Sequence, residues 1–372
     1  MLNLSLAARA STAAMLLVVN ASSASAQPAT RAALDTTIRS VMKKEAIPGA
    51  IVGIWQPGVT PYVRAFGVRD VVSRQPMSTN LHMRLGSVTK TFTVTAILQL
   101  VDRGKLHLDD PIGKFIKGVP GGNRMTIRQL AQMRSGLYNY GDTVLPIAIK
   151  QPARQWKIDE LLAVAFAHKR LFAPGTSFDY SNTNTVLLGL VVEKLTGESL
   201  GSYFDQYFLR PELAHTVFPS GASIPDPHAH GYTTVEPGGA LKDATNWSPS
   251  WGWAAGAMIS TLDDMHVWAR DVAVGTLLTP AAQRERLQFL PSEPESEGTG
   301  LGLEIDSGWI GHGGSLPGYM TEARYLPSRR MTMVVLINSN ANPRGFLSLV
   351  REITRIVSPH NVWPATPQEL GG

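Results

Sequence analysis

The chain has 372 residues, 44% of them hydrophobic and 17% charged, which places it among ordinary globular proteins too long for one small core. It contains no cysteine, which excludes disulfides and cysteine-ligated metals. The net charge of +5 is spread along the chain and forms no basic block, so there is no nucleic-acid signature.

In chain order, Arg9 precedes a short apolar run from Ala13 to Val19, and Ala24-Ser25-Ala26 offers a small-x-small cleavage pattern before Gln27. Residues 1–26 therefore read as a secretory signal, with a periplasmic or secreted mature protein expected after cleavage near Ala26. The run is well short of the roughly 20 residues that span a bilayer, and no later run reaches that length, so no membrane span is expected. Ala32 to Lys44 reads as an amphipathic helix through Leu34, Ile38, Val41 and Met42. The strands Ala50–Trp55 and Tyr62–Val68 follow, separated by a turn-rich spacer suited to an antiparallel hairpin.

A third strand should then lead into Arg84-Leu85-Gly86-Ser87-Val88-Thr89-Lys90. Here a glycine breaks an apolar run and a helix restarts with Ser87 and Lys90 one turn apart on the same face. A lysine partly withdrawn from water can lose its proton near neutral pH and serve as base to a neighbouring hydroxyl. The helix continues through Phe92, Val94, Ile97, Leu98 and Val101 to Arg103-Gly104, apolar on most sides and so expected at the centre of the core. A second S-x-x-K, Ser40 to Lys43, lies within a helix with no strand leading in and reads as chance.

From Leu106 to about Ala240 the pattern is helices and loops, with helices at Thr126–Met133, Ile158–Ala167, Thr183–Leu195 and Ser199–Phe208 and no clear strand. Within it, Gly197-Glu198-Ser199-Leu200-Gly201 fits G-x-S-x-G, but the preceding leucines and valines have helical spacing, whereas a nucleophile elbow needs a strand there. The sequence Phe178-Asp179-Tyr180-Ser181-Asn182-Thr183 is an ordinary capping turn by composition. It also sets a tyrosine and an amide at a loop-helix junction, a pair suited to proton transfer and carbonyl binding. His228 and His230 lack a third ligand at sensible spacing.

Beyond Trp247, helices at Thr261–Ala273 and Pro280–Phe289 precede strands at Gly300–Ile305, Trp309–Gly311, Tyr319–Leu326 and Met331–Ile337, and Phe346–Val357 closes the chain as a helix. The motif Gly311-His312-Gly313-Gly314-Ser315 permits close backbone approach and can present N–H groups to a substrate and its developing oxyanion. Strand hairpins from both ends, flanking helices and a helical block between them predict an α+β fold with one antiparallel sheet. The expected units are 27–105 with 245–360 for the sheet, 106–244 for the helices and 361–372 as a tail.

Taken together, S-x-x-K at Ser87, Y-x-N at Tyr180 and H-x-G at His312 resemble the serine hydrolases of the penicillin-binding and β-lactamase superfamily. The likeness extends to Arg134-Ser135-Gly136-Leu137, Ala173-Pro174-Gly175 and Ser250-Trp251. It is closest to secreted D-alanyl-D-alanine carboxypeptidases, with class C β-lactamases and β-lactamase-like esterases nearby. The resemblance implies a three-layer, transpeptidase-like fold and makes Ser87 the acylated nucleophile. Lys90 would be its proton acceptor or orienting cation and Tyr180 the shuttle to the leaving group. Asn182, His312, Gly314, Ser315 and Trp251 would bind substrate, with the N–H groups of Ser87 and Ser315 as oxyanion hole. It implies a small peptide, β-lactam or ester substrate, no cofactor and no metal; oligomeric state stays open, as does a slowly acylated sensor without turnover. Two residues depart from the pattern. Gly313 replaces a threonine, and Glu304 stands where carboxypeptidase relatives carry a basic residue, both weakening recognition of a terminal carboxylate. Ser315 and Arg324 are the groups left to compensate.

Overall fold

The computed structural model describes residues 21–236, 238–292 and 297–364, with backbone alone for 21–29 and 297. The presegment expected at 1–26 lies mostly outside the described residues. The first helix, α1 (Ala21–Lys44), buries Leu34, Ile38 and Met42 at helical spacing. It carries the chance Ser40 and Lys43 on its exposed side. The hairpin β1 (Gly49–Gln56) and β2 (Val59–Gly67) follows. Only Pro57-Gly58 stays outside the strands, so the turn is tighter than the spacer suggested, and Gly58 supplies the positive φ it needs. The third strand, β3 (Met83–Arg84), is two residues long and leads through a 3-10 turn, Gly86–Val88, into α2 (Thr89–Asp102).

The helical segment holds α3 (Ile127–Ala131), α4 (Tyr140–Lys150), α5 (Ile158–Phe166), α6 (Asn182–Thr196) and α7 (Leu200–Tyr207). Sequence reasoning missed α4 because Pro146 lies inside it, and proline ordinarily ends a helix. Ser199 caps α7 just after α6 has ended at Gly197, which removes the nucleophile-elbow reading. A small ribbon of β4 (Tyr232–Thr234) and β5 (Leu241–Asp243) corrects the expectation of no strand here. Three-residue strands, one of them fully exposed, offer no alternation to read.

Next come α8 (Trp253–Gly256), β6 (Ile259–Ser260), α9 (Leu262–Val274) and α10 (Pro280–Arg286). The remaining strands are β7 (Leu290–Pro291), β8 (Glu297–Thr299), β9 (Glu304–Asp306), β10 (Trp309–Leu316), β11 (Tyr319–Leu326) and β12 (Met331–Ile337), before α11 (Pro343–Val357). Two boundaries are corrected. β9 starts only at Glu304, and β10 runs on through Leu316, so the glycine motif is itself strand.

The sheet is antiparallel in the order β2-β1-β12-β11-β10-β9-β8-β7, with the two chain ends joined where Ile51 pairs with Leu336. Both faces of its central strands are buried, which is why β12 reads as a continuous apolar run. Ala50, Val52, Ile54, Met333, Val335 and Ile337 pack under α1 and α11. Ile51, Val334 and Leu336 face the opposite core with α2 and α9. Burying each such side chain stabilises the fold by about 1.5–3 kcal/mol. This is the three-layer α+β fold the sequence predicts. Of the segment 361–372, residues 361–364 are described: Trp363 is buried, and Asn361 bridges the Ser307 and Trp309 region. No helix among the described residues is long and apolar enough to cross a membrane.

Candidate active site

Two backbone segments meet at the site, and glycine makes the meeting possible. Gly86 has φ +56°, and a Cβ there would lie 2.5 Å from the Ser315 nitrogen. A Cβ on Gly314 would lie 1.9 Å from the Leu85 carbonyl oxygen. The turn that carries Ser87 is thus pressed against β10 main chain to main chain. β10 pairs with β9 only from Trp309 to Gly311, while its other edge pairs with β11 along its length. In a two-residue hairpin the flanking pair, Leu316 and Tyr319, exchanges both hydrogen bonds. Alternation then turns the N–H groups of Gly313 and Ser315 away from β11 and toward the turn that carries Ser87.

The helix α2 is buried almost all round, as its composition predicts. Thr91, Thr93 and Thr95 give their hydroxyls to carbonyls, Thr93 Oγ1 donating to Ala254 O at 2.7 Å and Thr91 Oγ1 to Val88 O at 2.7 Å. Phe92 stacks on Trp268 with ring centroids 3.6 Å apart. In this rigid setting Lys90 is 0% exposed. Its Nζ lies 2.9 Å from Ser87 Oγ and donates to the Ala255 carbonyl at 2.8 Å. Burial pulls the Lys90 ammonium from its ordinary 10.5 down to about 7, with Glu304 opposing the shift. A neutral Lys90 amine can keep the Ala255 bond while turning its lone pair to the Ser87 hydroxyl.

Tyr180 also hydrogen-bonds Ser87, and Lys90 Nζ stands 4.8 Å from the centre of the tyrosine ring. Burial pushes the Tyr180 phenol well above its ordinary range, the Ser87 bond pulling the other way, so it is a neutral donor at pH 7. The two groups flanking one hydroxyl are therefore pushed in opposite senses, the lysine toward a free base and the tyrosine toward a retained acid.

Asn182 is the first residue of α6, and its backbone N–H donates to Asn139 Oδ1 at 3.1 Å. Its side-chain amide makes no hydrogen bond with another described residue, and it is half-buried. Asn184 is different: fully buried, it receives the Ser135 hydroxyl and donates toward Met133 Sδ. The two asparagines of Tyr180-Ser181-Asn182-Thr183-Asn184 thus separate into one with its side-chain amide uncommitted among the described residues and one that ties the Arg134-Ser135-Gly136 loop to α6. Asn139 and the Ala255 carbonyl were missed from sequence. The first looks like any helix cap, and a main-chain carbonyl has no side-chain signature. Trp251 is buried. It lines a narrow cavity with Arg84, Leu316 and Pro317, and its carbonyl accepts the Tyr140 hydroxyl at 2.7 Å.

His312 is buried with its ring 6.3 Å from that of Tyr180. Its Nδ1 contacts the Gly313 carbonyl, which can only accept, so Nδ1 carries the proton. Burial lowers its pKa, Glu304 opposing, so the ring is neutral at pH 7. Its Nε2 lies 3.7 Å from Glu304 Oε1. Arg324, the candidate for carboxylate recognition, is buried between two carboxylates, with Nη2 2.8 Å from Glu304 Oε2 and Nε 3.0 Å from Glu322 Oε2. Burial raises the Glu304 carboxyl, but His312 and Lys90 in their protonated forms, together with Arg324, hold it below its ordinary range.

The departure at Gly313 now has a cause. Gly313 pairs with Glu322 across β10 and β11, and a Cβ at 313 would stand 2.5 Å from Glu322 Oε1. Gly313→Thr will cost about 1–3 kcal/mol through this overpacking. A lowered urea midpoint is the expected result, and an unchanged one would mean that Glu322 swings aside freely. His228 and His230 pair separately with Asp226 at 2.9 Å and Asp243 at 2.7 Å.

Acyl transfer through a serine is the chemistry that these groups can perform, and a nucleophile at the first turn of a buried helix, facing the edge of an antiparallel sheet, is the plan of serine hydrolases with the β-lactamase fold. The chain belongs to the Beta-lactamase family, whose model matches residues 34–356. It is 25% identical over 324 residues to Protein flp of Staphylococcus aureus (strain MW2), covering 83% of this chain and 63% of that protein. It is 26% identical over 327 residues to a D-aminopeptidase of Cereibacter sphaeroides, covering 85% and 61%. The chain thus spans a little over three-fifths of the length of these curated relatives. A crystal structure of a D-stereospecific amidohydrolase from Streptomyces sp. matches with a TM-score of 0.78 at 29% identity, over 90% of this chain and 99% of that one.

Proposed function

We propose that this chain hydrolyses amides through an acyl-enzyme on Ser87, with amides and short peptides of D-amino acids as the substrate class. The observation that carries the reading is the fully buried Lys90 amine, 2.9 Å from Ser87 Oγ and depressed to about 7. Ser87 Oγ attacks the substrate carbonyl as its proton passes to Lys90, while the N–H groups of Ser87 and Ser315 receive the oxyanion. The C–N bond then breaks as Tyr180 gives its proton to the departing nitrogen, and the Lys90 ammonium returns a proton to the phenolate. Water repeats the sequence on the ester, leaving the acid and the free hydroxyl. Asn182, with its amide uncommitted among the described residues, holds the substrate carbonyl. The D-configuration rests on the named activities of the relatives.

D-Ala-D-Ala carboxypeptidase action is the second reading, favoured by the histidine of the third motif and the Tyr-Ser-Asn-Thr-Asn run. It requires a cation for the terminal carboxylate, and Arg324 is committed to Glu304 and Glu322. Turnover of D-alaninamide, a D-Ala-D-Ala peptide, a p-nitrophenyl ester and nitrocefin separates the possibilities. The reading predicts the amide ahead of the peptide. A peptide ahead of the amide restores the carboxypeptidase, and the ester or nitrocefin alone makes the protein an esterase or β-lactamase.

A further inference from the structure

The proton positions around His312 leave an unanswered pair of acceptors. With Nδ1–H given to the Gly313 carbonyl, Nε2 presents a lone pair, and the group it faces is the Glu304 carboxylate at 3.7 Å. Two acceptors at that distance with no hydrogen between them repel, and the arrangement is satisfied when a donor enters between or beside them. Glu304 is the accessible member, with its side chain 34% exposed. It also stands where β9 leaves β10, at the start of the β10 edge that has no strand partner.

The position of this pair along the reaction is set by Tyr180. The phenol that protonates the departing nitrogen neighbours His312, so His312 and Glu304 border the leaving group rather than the acyl group. The charges facing them are Lys90 from α2, Arg324 and Glu322 from β11, and Arg324 is shared between the two carboxylates.

We infer that Glu304 and His312 Nε2 form a leaving-group subsite for a hydrogen-bond donor, which favours amides of amines bearing a second positive charge and rejects amides of amines bearing a carboxylate. Glu304 is the specificity-determining residue. The inference rests on the acyl-enzyme reading, since it needs Ser87 and Tyr180 to define which side the amine leaves from.

The experiment uses three D-alanyl anilides with one acyl group and different leaving amines: 4-methylaniline, 4-(aminomethyl)aniline and 4-aminobenzoate. A unit charge beside a partly exposed carboxylate changes kcat/KM by about tenfold either way at low ionic strength. The cationic anilide should therefore exceed the anionic one by about 100-fold. Glu304→Gln should bring that ratio below about tenfold, and Glu304→Asp, which keeps the charge, should restore most of it. Because the readout is a ratio within one variant, partial loss of folded protein does not affect it. A wild-type ratio near one, or a ratio that survives Glu304→Gln, overturns the inference while leaving the hydrolase intact. Failure to hydrolyse any of the three, with Ser87 unacylated, overturns the hydrolase reading and the subsite with it.

Discussion

Lys90→Met will lower kcat/KM for every substrate by about 10³ to 10⁴-fold and at the same time make the folded protein more stable. The loss follows because methionine fills the same channel but cannot take the Ser87 proton. The gain follows from the lysine's environment. The unfolded chain holds the Lys90 proton up to about 10.5, whereas the folded one releases it near 7. Between those values the unfolded state binds more protons, so wild-type stability rises with pH across that window. Near pH 7 the folded state therefore bears nearly the whole cost of burying a group that prefers to be charged. Replacing Lys90 removes that cost, on the order of a few kcal/mol, and gives up two hydrogen bonds of roughly 1 kcal/mol each. A net gain of about 1–3 kcal/mol is expected. Urea titrations at pH 7 and pH 9.5 check it: the wild type should gain on the variant at the higher pH. Equal pH slopes would show that Lys90 keeps an ordinary pKa, and a less stable variant would show that its hydrogen bonds outweigh its desolvation. The same titration predicts that activity falls about tenfold per unit below pH 7, as the amine becomes charged.

Tyr180→Phe will reduce kcat by at least about 100-fold while leaving Ser87 able to accept an acyl group from a substrate with a good leaving group. Burial keeps the phenol protonated far above neutral pH, so in the proposed mechanism its part is to give a proton to the departing nitrogen. A p-nitrophenyl ester, whose phenolate leaves without protonation, should therefore acylate the variant at a rate much nearer wild type than an amide does. Equal losses for ester and amide would mean that Tyr180 acts chiefly by holding Ser87 in place.

Much of this arrangement is legible in the sequence. The spacing of Ser87 and Lys90 requires one helix face, and the apolar run beyond them places that helix in the core. Strands β11 and β12 could be read to the residue because both their faces are buried and their ends are marked by Pro-Gly and Pro-Ser-Arg. The third strand could not, since Met83 and Arg84 pair only with Ile259 and Ser260, a partnership far apart in sequence. The end of β10 was missed for another reason: Gly313 and Gly314 look like a loop, and only the approach of Leu85 and Glu322 explains why strand positions lack side chains. Glu304 was visible as an exception to the family pattern. That it holds Arg324 and faces His312 depends on three strands lying side by side, which no local pattern encodes.

The most direct test of the account is the mass of the protein after incubation with a penicillin and with an activated D-alanyl ester, followed by peptide mapping. The account predicts one acyl adduct on the peptide containing Ser87, absent from Ser87→Ala. A stable penicillin adduct with no turnover of any amide or ester would make the protein a sensor rather than an enzyme. No adduct, or one carried by another serine, would contradict the assignment of Ser87 as the nucleophile.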